Sequence, residues 1–198
     1  MTKQVFETLC PLFGYILGSI PFGLLFSVTF GDGKLQHRGS KNIGATNVFR
    51  TQGKIMGVAT FLCDFSKGFL PCYFLRSENE VVNLLTLASP VIGHMFPIWL
   101  KFKGGKGIAT YLGVLYALSP FVGGGTTVIW LCMFRILRIS AAAGIISVVT
   151  SLVIFNYTRI AMCWDFLNHL YVLIGLVALI IAKHYDNLKR MMEKIRSA

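Results

Sequence analysis

Residues 107–134, GIATYLGVLYALSPFVGGGTTVIWLCMF, carry no charged side chain between Lys106 and Arg135. At about 1.5 Å of rise per residue, such a stretch is overlong for one crossing of a hydrocarbon core about 30 Å thick and short for two. Ser119-Pro120 interrupts it and Gly123-Gly124-Gly125 follows closely. It therefore reads either as one long span or as two short helices, 108–118 and 121–134, turning at Ser119-Pro120. Charge placement decides, because Lys and Arg accumulate in short cytoplasmic loops. Two helices here bring the apolar segments to seven, at about 8–30, 55–75, 81–100, 108–118, 121–134, 139–158 and 167–182. With the N-terminus outside, fifteen of the 19 basic residues fall on the cytoplasmic side, against Lys3, Arg76 and Arg159 outside and Lys67 within a segment. A single merged span would move Arg135, Arg138 and the whole basic C-terminal group outside. The expected fold is an all-α integral membrane protein with seven transmembrane helices, the N-terminus outside and the C-terminus cytoplasmic. The 108–134 hairpin is expected to be shallow or to thin the bilayer.

Composition agrees with that layout. Of the 198 residues 55% are hydrophobic and 14% charged, yet the net charge is +11, and the mean hydropathy is +0.66. A soluble domain carries about 25% charged residues, and a chain this apolar has ample surface to bury, which excludes disorder. Nucleic-acid binding is a poor reading of the basic balance, since the bases lie between bilayer-length apolar runs. Cys10, Cys63, Cys72, Cys132 and Cys163 form no C-x-x-C pair and have no histidine at metal-ligand spacing, so neither a disulfide framework nor a metal site is expected. The first apolar stretch lacks a strongly basic leader and a clean cleavage site, and is expected to stay as the first span. Gly14 and Gly18 form a G-x-x-x-G pattern that reads as helix packing. Residues 1–198 read as a single polytopic domain.

Polar side chains suited to chemistry gather in three segments on the same expected side. The first is Arg38-Gly-Ser-Lys-Asn-Ile-Gly-Ala-Thr-Asn-Val-Phe-Arg50. Positive-inside bias explains its cations but not Ser40, Asn42, Thr46 and Asn47 set among glycines. Those are the parts of a phosphate site: backbone N–H groups freed by Gly, hydroxyl and amide donors, and a bidentate Arg. The second is Lys101-Phe-Lys-Gly-Gly-Lys-Gly-Ile-Ala-Thr110, directly before a helix whose N-terminus adds partial positive charge. It is not a Walker A loop, because Gly107 follows Lys106 where Ser or Thr would be required. The third is Lys183-His-Tyr-Asp-Asn-Leu-Lys-Arg190, in which a continuing helix would put His184 and Asn187 on one face.

Asp64 and Lys67, at i and i+3 within an apolar segment, read as a mutual ion pair. His94 and His169 have no comparable company in the sequence, and His37 reads as solvated. The chain has no G-x-S-x-G, no H-E-x-x-H and no H-x4-D. An enzyme built from these loops would rely on positioning and charge neutralisation more than on a nucleophile, and no metal or cofactor is expected.

Ser40-Lys-Asn-Ile-Gly-Ala-Thr-Asn-Val-Phe-Arg50, His94-Met-Phe-Pro with Phe102-Lys-Gly-Gly-Lys-Gly-Ile-Ala-Thr110, and His184-x-x-Asn187 resemble the three cytoplasmic motifs of the bacterial acyl-phosphate-dependent glycerol-3-phosphate acyltransferases. Asp64-Phe-Ser-Lys-Gly68 and the seven-span layout are similar to that family too, so that the resemblance covers nearly the whole chain. It implies a bacterial inner-membrane enzyme with its active site facing the cytoplasm. The enzyme would move a fatty acyl group from acyl phosphate to the 1-hydroxyl of glycerol 3-phosphate, giving lysophosphatidic acid and phosphate in the first step of phospholipid synthesis. Ser40, Asn42, Gly44, Thr46, Asn47 and Arg50 would belong to the site, with Lys106 among Gly104, Gly105 and Gly107, Ser140, and His184 with Asn187. On that reading Arg50 and Lys106 bind phosphate oxygens, while Ser40, Thr46, Asn42 and Asn47 fix the glycerol moiety and the acyl phosphate. The hydroxyl proton goes to His184 or to the substrate's own phosphate, and the acyl chain lies between spans, open to lipid. Lys41 stands where the family usually has Gly, and a local change in the loop is expected there. The competing reading is a membrane transporter of an organic phosphate. Against it stand the absence of paired broken helices in two halves and the gathering of polar residues on one side.

Overall fold

The computed structural model of the chain describes residues 3–163, 165–185, 187 and 189. All regular structure among the described residues is helical. Arg190, Lys194 and Arg196, three of the bases counted to the cytoplasmic side, lie outside them. The chain divides into two compact units, Met1–Pro120 and Phe121–Ala198.

The first unit begins with α1 (Lys3–Gly18) and α2 (Phe22–Phe30), separated at Ser19 to Pro21. Pro21 has no N–H to continue the ladder, so the expected 8–30 span is broken near its middle. α3 (Ala45–Gln52) and α4 (Lys54–Phe74) meet at Gly53, whose φ of 101° is open to glycine alone. α5 (Glu80–Met95) starts on Asn79, whose Oδ1 accepts from the N–H groups of Val81 at 3.0 Å and Val82 at 3.3 Å, satisfying two donors that no helical carbonyl can reach. Pro90, inside α5, removes the donor that would serve the Thr86 carbonyl, and the Ser89 hydroxyl donates to that oxygen instead at 3.1 Å.

Small residues set the helix crossings. A Cβ on Gly18 would sit on the Pro90 carbonyl and one on Gly93 on the Tyr15 carbonyl, so α1 and α5 touch backbone to backbone. The G-x-x-x-G of the first span thus packs within the chain, against α5. α6 (Ile108–Leu118) crosses α4 in the same way, Gly68 against the Thr110 carbonyl and Gly113 against the Phe65 carbonyl. At about 17 Å α6 is shorter than the hydrocarbon core of an ordinary bilayer is thick. It persists because Thr110, Tyr111, Gly113, Val114, Leu115 and Ala117 are buried against protein.

The second unit holds α7 (Pro120–Leu137), α8 (Ser140–Ala161) and α9 (Leu167–Lys183), with α8 packed on α9. The turn at Ser119-Pro120 falls where the sequence places it: α6 ends at Leu118 and Ser119 is extended. The length of the following helix does not. α7 runs 18 residues, straight through Gly123 to Gly125. Pro120 sits in the first turn, where its missing N–H costs no hydrogen bond. The Thr126 and Thr127 hydroxyls donate to the Val122 and Gly123 carbonyls at 2.8 and 2.9 Å. Five helical stretches are long and apolar enough to cross a membrane: Val5–Phe30, Lys54–Phe74, Glu80–Leu100, Pro120–Leu137 and Ser140–Ala161. Ile108–Leu118 and Leu167–Lys183 are apolar but shorter.

Candidate functional site

The loop between α2 and α3 is built around one side chain. Asn47, on α3 and 3% exposed, accepts at Oδ1 from the Ser40 N–H at 2.9 Å. Its amide hydrogens go to the carbonyls of Asn42 at 2.8 Å, Arg38 at 3.1 Å and Leu35 at 3.4 Å. Both hydrogens thus have carbonyl partners inside the chain, and Asn47, expected from the sequence at the site, holds the loop in shape. Gly39 has a φ of 60° and lies against Asn47 Oδ1, where a Cβ would collide. Lys41 takes the same left-handed region, with φ 59°. The change expected there is thus a lysine held in a glycine's conformation, at a cost of about 1 kcal/mol.

The side chains left for chemistry lie along this loop. Asn42 Oδ1 accepts from the Gly44 N–H at 3.0 Å, while its NH2 donates to no group among the described residues. The Ser40 hydroxyl, half-buried, makes no hydrogen bond among them. Gly44 caps α3 in an extended conformation, and a Cβ there would meet only Asn42 Oδ1 at 3.5 Å. Nothing among the described residues demands glycine at that place. Thr46 is exposed in the first turn of α3, and Arg50 is exposed near its end with no hydrogen bond or ion pair among the described residues. Arg38 is engaged differently, in an ion pair with Asp32. The Gln52 amide at 2.7 Å and then the Lys34 N–H at 3.0 Å hold the Asp32 carboxyl below its ordinary pKa, with Arg38 adding a smaller pull.

The glycine loop is held by backbone. After Lys101 and Phe102, both at positive φ, the Gly104 and Gly105 N–H groups donate to the Met95 carbonyl at 3.1 Å and the His94 carbonyl at 3.0 Å. A Cβ on Gly104 would strike the His94 carbonyl, one on Gly105 the His94 imidazole, and one on Gly107 the Met95 side chain. These two N–H groups, expected to face an anion, are engaged by the end of α5. Lys106 is half-buried, and Gly107, with φ 85°, opens α6 without a side-chain cap. The first N–H groups of α6 have no helical carbonyl to serve them.

Leu35, Ile43 and Val48 form a buried cluster, against which pack Leu24 of α2, Met56 of α4 and Leu100, which ends the 3-10 turn just before the glycine loop. Thus Leu100, at the approach to the glycine loop, packs on the floor of the Ser40 to Arg50 loop. Beneath the glycine loop lies a polar cluster of which only one pair was expected. Lys67 Nζ is 2.8 Å from Asp64 Oδ1, as expected, and His94 Nδ1 is 3.6 Å from the same oxygen. His94, with no company in the sequence, thus has the carboxylate of another helix as its neighbour.

Ser140, His184 and Asn187 belong to the second unit. Ser140 opens α8 behind Ile139. His184, 2% exposed, directly follows α9, with Nδ1 at 2.8 Å from the Ile180 carbonyl. A carbonyl only accepts, so Nδ1 carries a hydrogen. α9 ends at Lys183, but the backbone is helical again at Tyr185 and at Asn187, whose N–H donates to the His184 carbonyl at 2.9 Å. Among the described residues no group of three His, Cys, Asp or Glu could hold a metal ion.

A profile of the family described as "Glycerol-3-phosphate acyltransferase" matches residues 8–194. The chain is 38% identical over 183 residues to a Pelagibacter ubique protein named glycerol-3-phosphate acyltransferase, covering 92% of each. It is 37% identical over 192 residues to a Sinorhizobium fredii protein of the same name, covering 96% of this chain and 90% of that one. Among solved structures, it is similar to PlsY (YgiH), described as an integral membrane glycerol 3-phosphate acyltransferase, in its glycerol 3-phosphate form. There the TM-score is 0.85 at 35% identity, with 95% of this chain and 92% of that chain covered. The lysophosphatidic acid form gives a TM-score of 0.82 with the same identity and coverage. A likeness that runs through both loops and nearly the full length of the chain leaves one conclusion: it belongs to the glycerol-3-phosphate acyltransferase family.

Proposed function

We propose that the chain transfers a fatty acyl group from acyl phosphate to the 1-hydroxyl of glycerol 3-phosphate, giving lysophosphatidic acid and phosphate. The observation that supports this reading is the packing of Leu100, at the approach to the Lys106 loop, on the Leu35, Ile43 and Val48 floor of the Arg50 loop. Both substrates bear phosphate, and two cations on adjacent loops suit two anionic groups that must approach each other. Arg50 and Lys106 bind phosphate oxygens, Arg50 in bidentate fashion. The Ser40 hydroxyl, the Asn42 amide and Thr46 orient the glycerol moiety and the acyl phosphate, and Gly44 leaves room for them. Asn47, Gly104, Gly105 and Gly107 keep the loops in shape.

In the reaction the 1-hydroxyl oxygen attacks the acyl carbonyl carbon, the bond from that carbon to the phosphate oxygen breaks, and phosphate departs with the electron pair. The leaving group is already good. The remaining work is alignment, neutralisation of phosphate charge and removal of the hydroxyl proton. That proton goes to His184 or to a substrate phosphate. Ser140 and Asn187 keep the substrate-binding roles that the resemblance gives them.

The five long helical stretches together with α6 and α9 make seven spans, the N-terminus outside and the C-terminus cytoplasmic, in a bacterial inner membrane. The charge bias of fifteen bases in 19 supports that orientation. Residues 1–198 act as one acyltransferase domain, with glycerol 3-phosphate and acyl phosphate as its small-molecule partners. The test is to supply the purified chain with each substrate alone and with both. Phosphate release and lysophosphatidic acid that require both are expected. Uptake of glycerol 3-phosphate into proteoliposomes with no product would point to the transporter and end the proposal.

A further inference from the structure

Asp64, Lys67 and His94 take no part in the proposed reaction, although their side chains are among the most deeply buried polar groups of the first unit, at 3%, 3% and 5% exposure. Charges in such a place cost several kcal/mol to bury, so their connections matter. Lys67 Nζ donates to the Ile20 carbonyl at 2.8 Å, at the break between α1 and α2, as well as pairing with Asp64. α2 begins two residues later. It presses Gly23 on the Ile43 carbonyl and Leu24 on the Leu35, Ile43 and Val48 cluster, the floor of the Ser40 to Arg50 loop. In the other direction, Asp64 Oδ1 faces His94 Nδ1. The His94 carbonyl accepts from the Gly105 N–H, and its ring lies where a Cβ on Gly105 would be. Gly105 precedes Lys106. One buried cluster therefore reaches both loops.

We propose that Asp64, Lys67 and His94 are positioning residues for acyl transfer. They fix the Ser40 to Arg50 loop, through Ile20 and α2, at a set height relative to the Lys106 loop, through His94 and Gly105. The inference rests on the reading that Arg50 and Lys106 hold the substrates' phosphates. Each loop keeps its own anion contacts when the cluster is disturbed, but their mutual alignment goes, and a misplacement of about 1 Å costs a reaction about 10²-fold. The loss therefore falls on kcat rather than on KM.

The test measures kcat, KM for glycerol 3-phosphate and the thermal unfolding midpoint of the purified full chain for Asp64→Asn, Lys67→Met and His94→Asn. His94→Asn is the gentlest of the three. It leaves the Asp64 and Lys67 pair intact and keeps an amide N–H where Nδ1 stood, removing only the ring atoms against Gly105. The expected result is a kcat at least tenfold lower, a KM within about threefold of the parent and an unfolding midpoint within a few degrees. His94→Gln, which returns an amide nitrogen towards Gly105, should recover part of the loss. Normal kcat in folded His94→Asn overturns the proposal, as does a defect confined to KM or one that only follows loss of folded protein in all variants. Arg50→Ala and Lys106→Ala separate this from the underlying reading. Normal turnover in them removes the loop assignment itself, whereas inactivity there beside an unimpaired His94→Asn removes the positioning role alone.

Discussion

The two loops that carry the proposed chemistry are held in shape by opposite means. In residues 38–47 a side chain does it: Asn47 reaches four backbone groups from one buried position. In residues 101–107 the backbone does it, with Gly104 and Gly105 docked on the last carbonyls of α5 and no room for a Cβ. In both cases residues expected at the site hold the loop in shape, and each loop carries one cation assigned to phosphate. A polar residue in a loop motif is thus ambiguous until its hydrogen-bond partners are counted.

The sharpest way to break the contrast is Asn47→Ala. It strands buried carbonyls and the Ser40 N–H, each worth about 1 to 3 kcal/mol when left without a partner, so acyl transfer should fall at least 100-fold together with a lower unfolding midpoint. Asn47→Asp, which keeps the Oδ1 acceptor but loses both donors, should fare no better. Recovery of normal turnover in either would show that the loop holds its own shape. Next in size is Gly105→Ala, where the new Cβ must displace the His94 ring. A loss of tenfold or more in kcat is expected, against little change for Lys103→Ala on the exposed side of the same loop.

Lys41→Gly should act in the other direction. It relieves a left-handed lysine and, after the greater freedom glycine gains in the unfolded chain, should add up to about 1 kcal/mol, seen as an unfolding midpoint a few degrees higher with activity unchanged. The smallest effect belongs to Asp32. Its carboxyl is held below the ordinary range by Gln52 and the Lys34 N–H, so it lends stability above about pH 4 that is lost as the pH falls through that region. Asp32→Asn should flatten a shallow acid limb in the unfolding midpoint and leave neutral pH nearly untouched.

Much of this architecture was legible in the residues. The apolar segments are helical, five stretches being long and apolar enough to cross a membrane, and the chain turns at Ser119-Pro120, because long uncharged runs between basic loops have few alternatives in a bilayer. The extent of α7 was not, since three glycines in a row read as a break when threonine back-bonds and a buried setting allow the helix through. Nor was the break at Pro21, hidden in a run whose hydropathy is continuous. At the site, Arg50 and Lys106 stood out from their glycine, asparagine and threonine neighbours, and the i, i+3 spacing pointed to the Asp64 and Lys67 pair. His94 was missed because its partner Asp64 lies on another helix, far away in the chain. The signal was its place at the head of His94-Met-Phe-Pro, immediately before the glycine loop. The hold of Asn47 on the loop backbone was not legible, because nothing in a linear motif marks the side chain that folds the loop around it.

The claim on which the rest depends is that the cations of the two loops act on phosphate. It is tested most directly by acyl transfer from acyl phosphate to glycerol 3-phosphate in Arg50→Ala and Lys106→Ala, prepared beside the parent and shown to be inserted and folded. Loss of at least 100-fold in each is expected, with the unfolding midpoint unchanged. Turnover within a few-fold of the parent in either variant would contradict the assignment.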